Sequence, residues 1–274
     1  VELLGVQNDT AEDSWSAVHI GGIKTTVKGS GTLQAKVAYE NAVGQVSAIS
    51  LNDNLTTEET ATVHAVAASG NGITVESGGI KIAESATVNI AADKCGLAFS
   101  GAGTFNLTIN GALNIRAAEQ GIDWQSYMIF MGDGARLTVT GLTEGTAPKT
   151  GVLTFRGVEI GANCVVSVDA SNEAFSCTAT DATTDYSAPI AIGENSVVTV
   201  TGTTEFGGFA IDCGTKTAHN SYWAGASYPA STLTLAAGAK LTVNSGYRAL
   251  QALSIDMAEG SAIYVTATEQ YNSN

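Results

Sequence analysis

Short segments alternating between apolar and polar residues return along the chain, each behind a tight turn. That recurrence limits the folds open to it. The stretch 132–160, GDGARLTVTGLTEGTAPKTGVLTFRGVEI, sets the pattern. A Gly-Ala turn leads into an alternating strand, Arg136-Leu137-Thr138-Val139. A loop follows, then a second strand at Val152-Leu153-Thr154-Phe155. An Arg156-Gly157 corner opens a third, Val158-Glu159-Ile160, and the Gly-Ala turn returns at Gly161-Ala162. One turn plus three short strands is one coil of a β-solenoid, in which each coil buries its apolar face only against its neighbours.

The first strand can be tracked through the chain by its leading apolar residue. It recurs at Leu33, Val63, Val88, Leu113, Leu137, Val166, Val198, Leu241 and Ile263, at spacings of 22 to 43 residues. Alternate positions of the second strand align as Leu97/Phe99, Ile122/Trp124, Leu153/Phe155, Phe175/Cys177 and Ile211/Cys213. Those of the third align as Ile80/Ile82, Phe105/Leu107/Ile109, Met128/Phe130, Val158/Ile160, Ile190/Ile192, Leu233/Leu235 and Leu253/Ile255. Strands alternate inward and outward with period two, so these sets predict three stacked core ladders. About nine coils at ~4.8 Å each give a rod of roughly 40 Å. The reading is an all-β parallel β-solenoid with three short strands per coil. It forms one domain over 1–274, with an irregular N-terminal coil over 1–31 and corner insertions at 178–187 and 214–230.

Composition agrees with this. The chain has 31 Gly and 3 Pro and no sustained 3.6-residue pattern, and charged residues are only 14%. A formal net charge of −14 argues against nucleic acid and anionic membrane surfaces as partners. No apolar run approaches the ~18 residues of a membrane span. The chain starts at Val1, which suggests a mature or trimmed piece of a longer protein with flanking domains. Scarce Lys with abundant Thr, Asn and Gly points to an extracellular or cell-surface location.

Repeated segments such as GALNI (111–115), GARLTV (134–139) and GAKLTV (238–243) carry a family likeness. From about Val18 to Val265 the chain resembles the right-handed parallel β-helix proteins of the pectate-lyase-like superfamily. It is similar in particular to Gly- and Thr-rich repeat domains of bacterial surface and carbohydrate-binding proteins. The resemblance implies a right-handed helix. It leaves function open, since that superfamily holds lyases, hydrolases, adhesins and binding modules.

Two consecutive coils carry long insertions after the second strand, TATDATTDYS and GTKTAHNSYWAGASYPA. Both are expected to leave the same corner, one above the other, and to form a joint wall. The second holds His219, Asn220, Tyr222, Trp223 and Tyr228 in a chain that is 7% aromatic. Aromatic rings on a surface loop suit the apolar C–H faces of sugars, with His219, Asn220 and Asp185 as hydrogen-bonding partners. The alternative is that the rings pack the loop onto the solenoid. Asp181 and Asp185 could offer oxygens to Ca²⁺, but their spacing is generic and solvated loop acids are the preferred reading; no other cofactor is indicated. Cys177 and Cys213 fall at equivalent positions of adjacent coils, as a disulfide or as stacked thiols. Cys95 and Cys164 read as small buried residues.

No catalytic constellation assembles. Arg116, Arg136, Arg156 and Arg248 do not converge, and His19, His64 and His219 lie far apart. Asp123 and Asp212 are three coils apart, ~14 Å at 4.8 Å per coil. Paired glycosidase carboxyls stand about 5–9.5 Å apart. The reading is therefore a non-catalytic, secreted or cell-surface module that binds a polysaccharide or a host or cell-surface glycan, or acts as an adhesin. The alternatives are a β-helix polysaccharide lyase or glycoside hydrolase and a purely structural spacer.

Overall fold

The structure, a computed structural model, describes residues 2–5, 15–21, 24–38, 46–154, 156–177, 189–202, 209–213 and 232–268. These form an all-β parallel solenoid of three sheets with 10, 9 and 9 strands, and the described residues contain no helix. Each coil lays one strand in the first sheet, one in the second and one in the third, then climbs one rung. The coil built from Ala112–Ala117, Gln120–Trp124 and Ile129–Met131 is representative. The N-terminal coil already supplies all three sheets, through Glu2–Gly5, Trp15–Ile20 and Thr25–Val27.

The first sheet stacks as its alternation predicts. Leu33 pairs with Val63, Val63 with Val88, Val88 with Leu113 and Leu113 with Leu137. The row continues through Val166, Val198, Leu241 and Ile263. Between Val63 and Leu241 every member is buried. Removing these side chains from water is the main force holding one coil to the next.

The other two ladders depart from expectation by short slips. In the second sheet Ile122 pairs with Val152, and Val152 with Phe175, so Val152 and Thr154 point inward and Leu153 outward. Both parities of Val152-Leu153-Thr154-Phe155 hold a large apolar residue, so alternation alone cannot choose between them. Thr154 is tolerated inside because its hydroxyl donates to the Tyr127 carbonyl at 3.1 Å. In the third sheet Ile129 and Met131 are the buried pair, and Phe130 faces outward between Thr108 and Glu159. In the last coil Ile255 and Met257, not Leu253 and Ile255, occupy the rungs beyond Leu233 and Leu235.

Two devices fix the cross-section. The second position of the second-sheet strand is Gly72, Gly96, Gly121 or Gly151 on successive coils. A Cβ there would collide with Ile90, Ile115, Val139 or Val168, each from the first-sheet strand one rung on. Bulk on one sheet is matched by its absence on the other, which close packing requires. On five coils the corner from the third sheet back to the first is a β-turn whose third residue is left-handed: Gly134, Asn163, Asn195, Gly238 and Gly260. The residue after it is small and tucked in, as at Ala135, Ser196 and Ala239. Gly and Asn adopt that backbone most readily, which is why Gly-Ala recurs in the sequence.

At the C-terminal end the inward rows run out of neighbours. Leu253, Ile255, Met257 and Val265 are each about half exposed, at 57%, 47%, 49% and 52%.

Candidate functional site

The strands that launch the two insertions are neighbours. Glu173–Cys177 pairs with Ile211–Asp212 through Phe175↔Ile211 and Ser176↔Asp212. The strands that receive them, Ile190–Ile192 and Thr232–Leu235, pair through Ile190↔Leu233. Both insertions therefore bridge the corner between the second and third sheets on adjacent rungs. Asp185, His219, Asn220, Tyr222, Trp223 and Tyr228 lie outside the described residues, as do Asp181 and the whole of both insertions.

On the preceding coils the same corner is held by side-chain contacts. The fully buried Trp124 donates its indole N–H to the Phe105 carbonyl at 2.9 Å and packs edge-on against Phe99 at 5.3 Å. Ser126 Oγ accepts from Phe105 N and donates to Gly103 O, both at 2.8 Å. Outside this frame the Arg156 guanidinium lies over the Tyr127 ring at 5.5 Å. Cation–π pairing of this kind holds an aromatic face in place.

Beside that corner runs the outward-pointing row of the second sheet. Its register carries it through Ser50, Thr74, Ala98, Asp123, Leu153, Ser176, Asp212 and Gln251. Although the row points away from the core, it is not a solvent surface: Ser50, Thr74, Ala98 and Ser176 are all buried. At the N-terminal end the polar groups satisfy one another: Ser47 and Thr74 hydroxyls meet at 2.6 Å, and Asn71 Nδ2 donates to Thr74 at 3.2 Å. Elsewhere on this sheet they do not. Among the described residues, the buried side-chain polar atoms without a partner are those of Asn52, Asp123, Asn172, Ser176 and Gln251. All five lie on second-sheet strands or one residue beyond them. Burial pushes the Asp123 carboxyl above the usual carboxylate range, against a smaller lowering by a hydrogen bond from Gln125.

On the first sheet, an open groove of about 680 Å³ runs beside the 142–146 loop, with Arg116, Thr140, Asp169 and Thr201 on its floor. The loop is held by Thr146 Oγ1 donating to Thr143 O at 2.8 Å.

All four cysteines are free and buried. Ser176↔Asp212 is the last pair of its strands, so Cys177 and Cys213 follow in line on successive rungs. Burial raises both thiols, Cys213 to about 12; the Asp212 charge adds to the rise at Cys213, and Cys213 followed by Asp212 add to it at Cys177. Cys164 fills the small position after a corner turn, its thiol donating to the Gly132 carbonyl at 3.0 Å.

Chemistry that needs converging groups finds none among the described residues. Asp123 reaches Asp212 only through Leu153 and Ser176, three rungs or ~14 Å away. Arg116 and Arg136 lie on the first sheet, Arg156 at one corner, and Arg248 at another between Phe209 and Tyr247. No three His, Cys, Asp or Glu side chains among the described residues come together as metal ligands. No helix there is long and apolar enough to cross a membrane. Comparison with protein-family models, with curated proteins and with solved structures finds no match.

Sequence reading named the insertions but passed over the row beside them. Ser176 and Gln251 share the parity of Asp123 and Asp212, and that shared parity was the available signal.

Proposed function

We propose that the chain is a non-catalytic carbohydrate-binding or adhesin-like module of a secreted or cell-surface bacterial protein, of the kind found among pectate-lyase-like β-helices. The observation that carries the reading is the placement of two long insertions at one corner on adjacent rungs. Long loops on a rigid scaffold carry function more often than ordinary connections. The second brings Tyr222, Trp223 and Tyr228 to that corner's sequence, with His219, Asn220 and Asp185 as polar partners. Rings of this type stack on the C–H faces of sugars. A net charge of −14 disfavours polyanions, so the expected partner is a neutral polysaccharide or glycan.

Affinity gel electrophoresis tests this with galactomannan and xylan as neutral probes and pectin as the anionic control. The parent chain is expected to be retarded by a neutral polymer and Trp223→Ala to run free. Equal retardation of both would remove the insertion as the site. No retardation by any neutral polymer would remove the reading.

A further inference from the structure

We propose that the C-terminal end of the solenoid is a docking surface for a second copy of this chain, and that the two copies pair end to end about a two-fold axis through Ile255. The inference does not rest on the carbohydrate-binding reading.

The state of that end carries the argument. All three sheets finish there, with Leu250–Gln251, Ser254–Met257 and Ala262–Ala267 as their last strands. Seven large apolar side chains are exposed among the described residues, and five of them lie between Leu253 and Val265. Ile255, Met257 and Val265 continue inward rows that are buried one rung earlier at Leu233, Leu235 and Val243. Edge strands of monomeric proteins are commonly blunted by Lys, Pro or a bulge. These three strands contain neither Lys nor Pro, and Ala262–Ala267 pairs with Lys240–Ser245 over six residues without a break. Leu253, Ile255, Met257 and Val265, each about half exposed, together offer about 800 Å² of apolar surface in a pair of copies. With the strand edges added, this reaches the roughly 1,000 Å² at which a specific interface begins.

The strand count selects the arrangement. The first sheet holds ten strands and the others nine, so the chain closes nine circuits and adds one strand. Laid head to tail with like sheets aligned, another copy's Glu2–Gly5 would meet Ala262–Ala267 while the second and third sheets stayed one rung short. A two-fold contact has no such gap. Successive strands of a coil climb by a third of a rung, ~1.6 Å, so the last strands form a ramp with Ser254–Met257 at its middle. An axis through that strand, perpendicular to the rod, sets the high side of one ramp on the low side of the other. Ser254–Met257 then runs antiparallel to its own copy, and Ala262–Ala267 lies against Leu250–Gln251 of the second copy. Such an isologous contact closes at two copies.

The side chains suit that axis. Centred on Ile255, the pairing opposes Ile255 to itself and Leu253 to Met257, apolar on apolar. On the outer face it opposes Ser254 to Asp256, where the hydroxyl can donate to the carboxylate. An axis one residue later would oppose two Asp256 carboxylates, and like charges directly opposite are destabilising. The contact is small, so dimers are expected in the micromolar range and the end is bare in dilute solution.

The test is sedimentation velocity on the 274-residue chain from about 1 to about 300 μM, the range that brackets such an affinity. The parent is expected to pass from monomer to dimer and to stop there. Ile255→Lys is expected to stay monomeric throughout with a melting temperature close to the parent's, since the side chain is already half exposed. Under mild oxidation with diamide, Ile255→Cys is expected to cross-link to its own copy, because residues opposed across an antiparallel pair lie within disulfide reach. Tyr264→Cys, away from the axis, is expected not to. The proposal is overturned if the parent stays monomeric at every concentration, if it grows beyond two copies, or if Ile255→Lys dimerises like the parent. Should Ile255→Lys not fold, equal cross-linking of the two cysteine variants, or none at Ile255→Cys, overturns it as well.

Discussion

Gly121 shows what a single residue decides in this molecule. Its missing side chain is the space that Val139 occupies from the rung above. Gly121→Ala is expected to lower stability by about 1–3 kcal/mol, read as a shifted urea midpoint, since overpacking a dense core costs that much. Asp123 makes a prediction of opposite sign. Its folded-state pKa lies above the free value of 3.8, so the folded chain keeps a proton that the unfolded chain has released. The stability tied to that proton is fully present below pH 3.8 and is lost as pH rises through the folded pKa. Asp123→Asn should therefore be more stable than the parent at pH 7, and the gap should close below pH 3.8. Cys213 behaves likewise at the alkaline end. With its thiol raised from 9.0 to about 12, the parent should lose stability above pH 9 more steeply than Cys213→Ala, measured by urea titration at pH 7, 9 and 10.5.

At the scale of strands and turns, legibility followed the chemistry of alternation. First-sheet strands such as Arg136–Gly141 place polar residues between apolar ones, so one parity was available and the ladder was correct on every rung. Val152-Leu153-Thr154-Phe155 and Met128-Ile129-Phe130-Met131 are apolar on both parities, and each was read one residue out of register. Gly151 held the missing information, because it aligns with Gly121 only when Val152 points inward. The GALNI segment carried a similar trap. Gly111 aligns with Ala135, not with Gly134, so it fills the tucked position after the turn. The strands flanking the insertions were readable and pair as neighbours, while the residues within the insertions have no alternation to read. The last coil lacks a neighbour on one side. In amide hydrogen exchange, Ser254–Met257 and Ala262–Ala267 are expected to exchange fastest among the sheet strands, ahead of Leu107–Ile109 and Ala112–Ala117 in the middle of the rod.

The whole molecule is a quasi-one-dimensional stack, and function must be written along or across its length. Across the rod, the acids and arginines are spread over different faces and no reactive cluster forms among the described residues. Along the rod, the second sheet concentrates unpaired polar atoms, and its strands lead into both insertions. Carbodiimide footprinting of carboxyl groups, with and without the bound neutral polysaccharide, tests this placement directly. Protection is predicted at Glu173 and Asp212 on the second sheet, with labelling unchanged at Glu84 and Asp133 at the opposite corner. Protection of Glu84 and Asp133 with none at Glu173 and Asp212 would contradict the account.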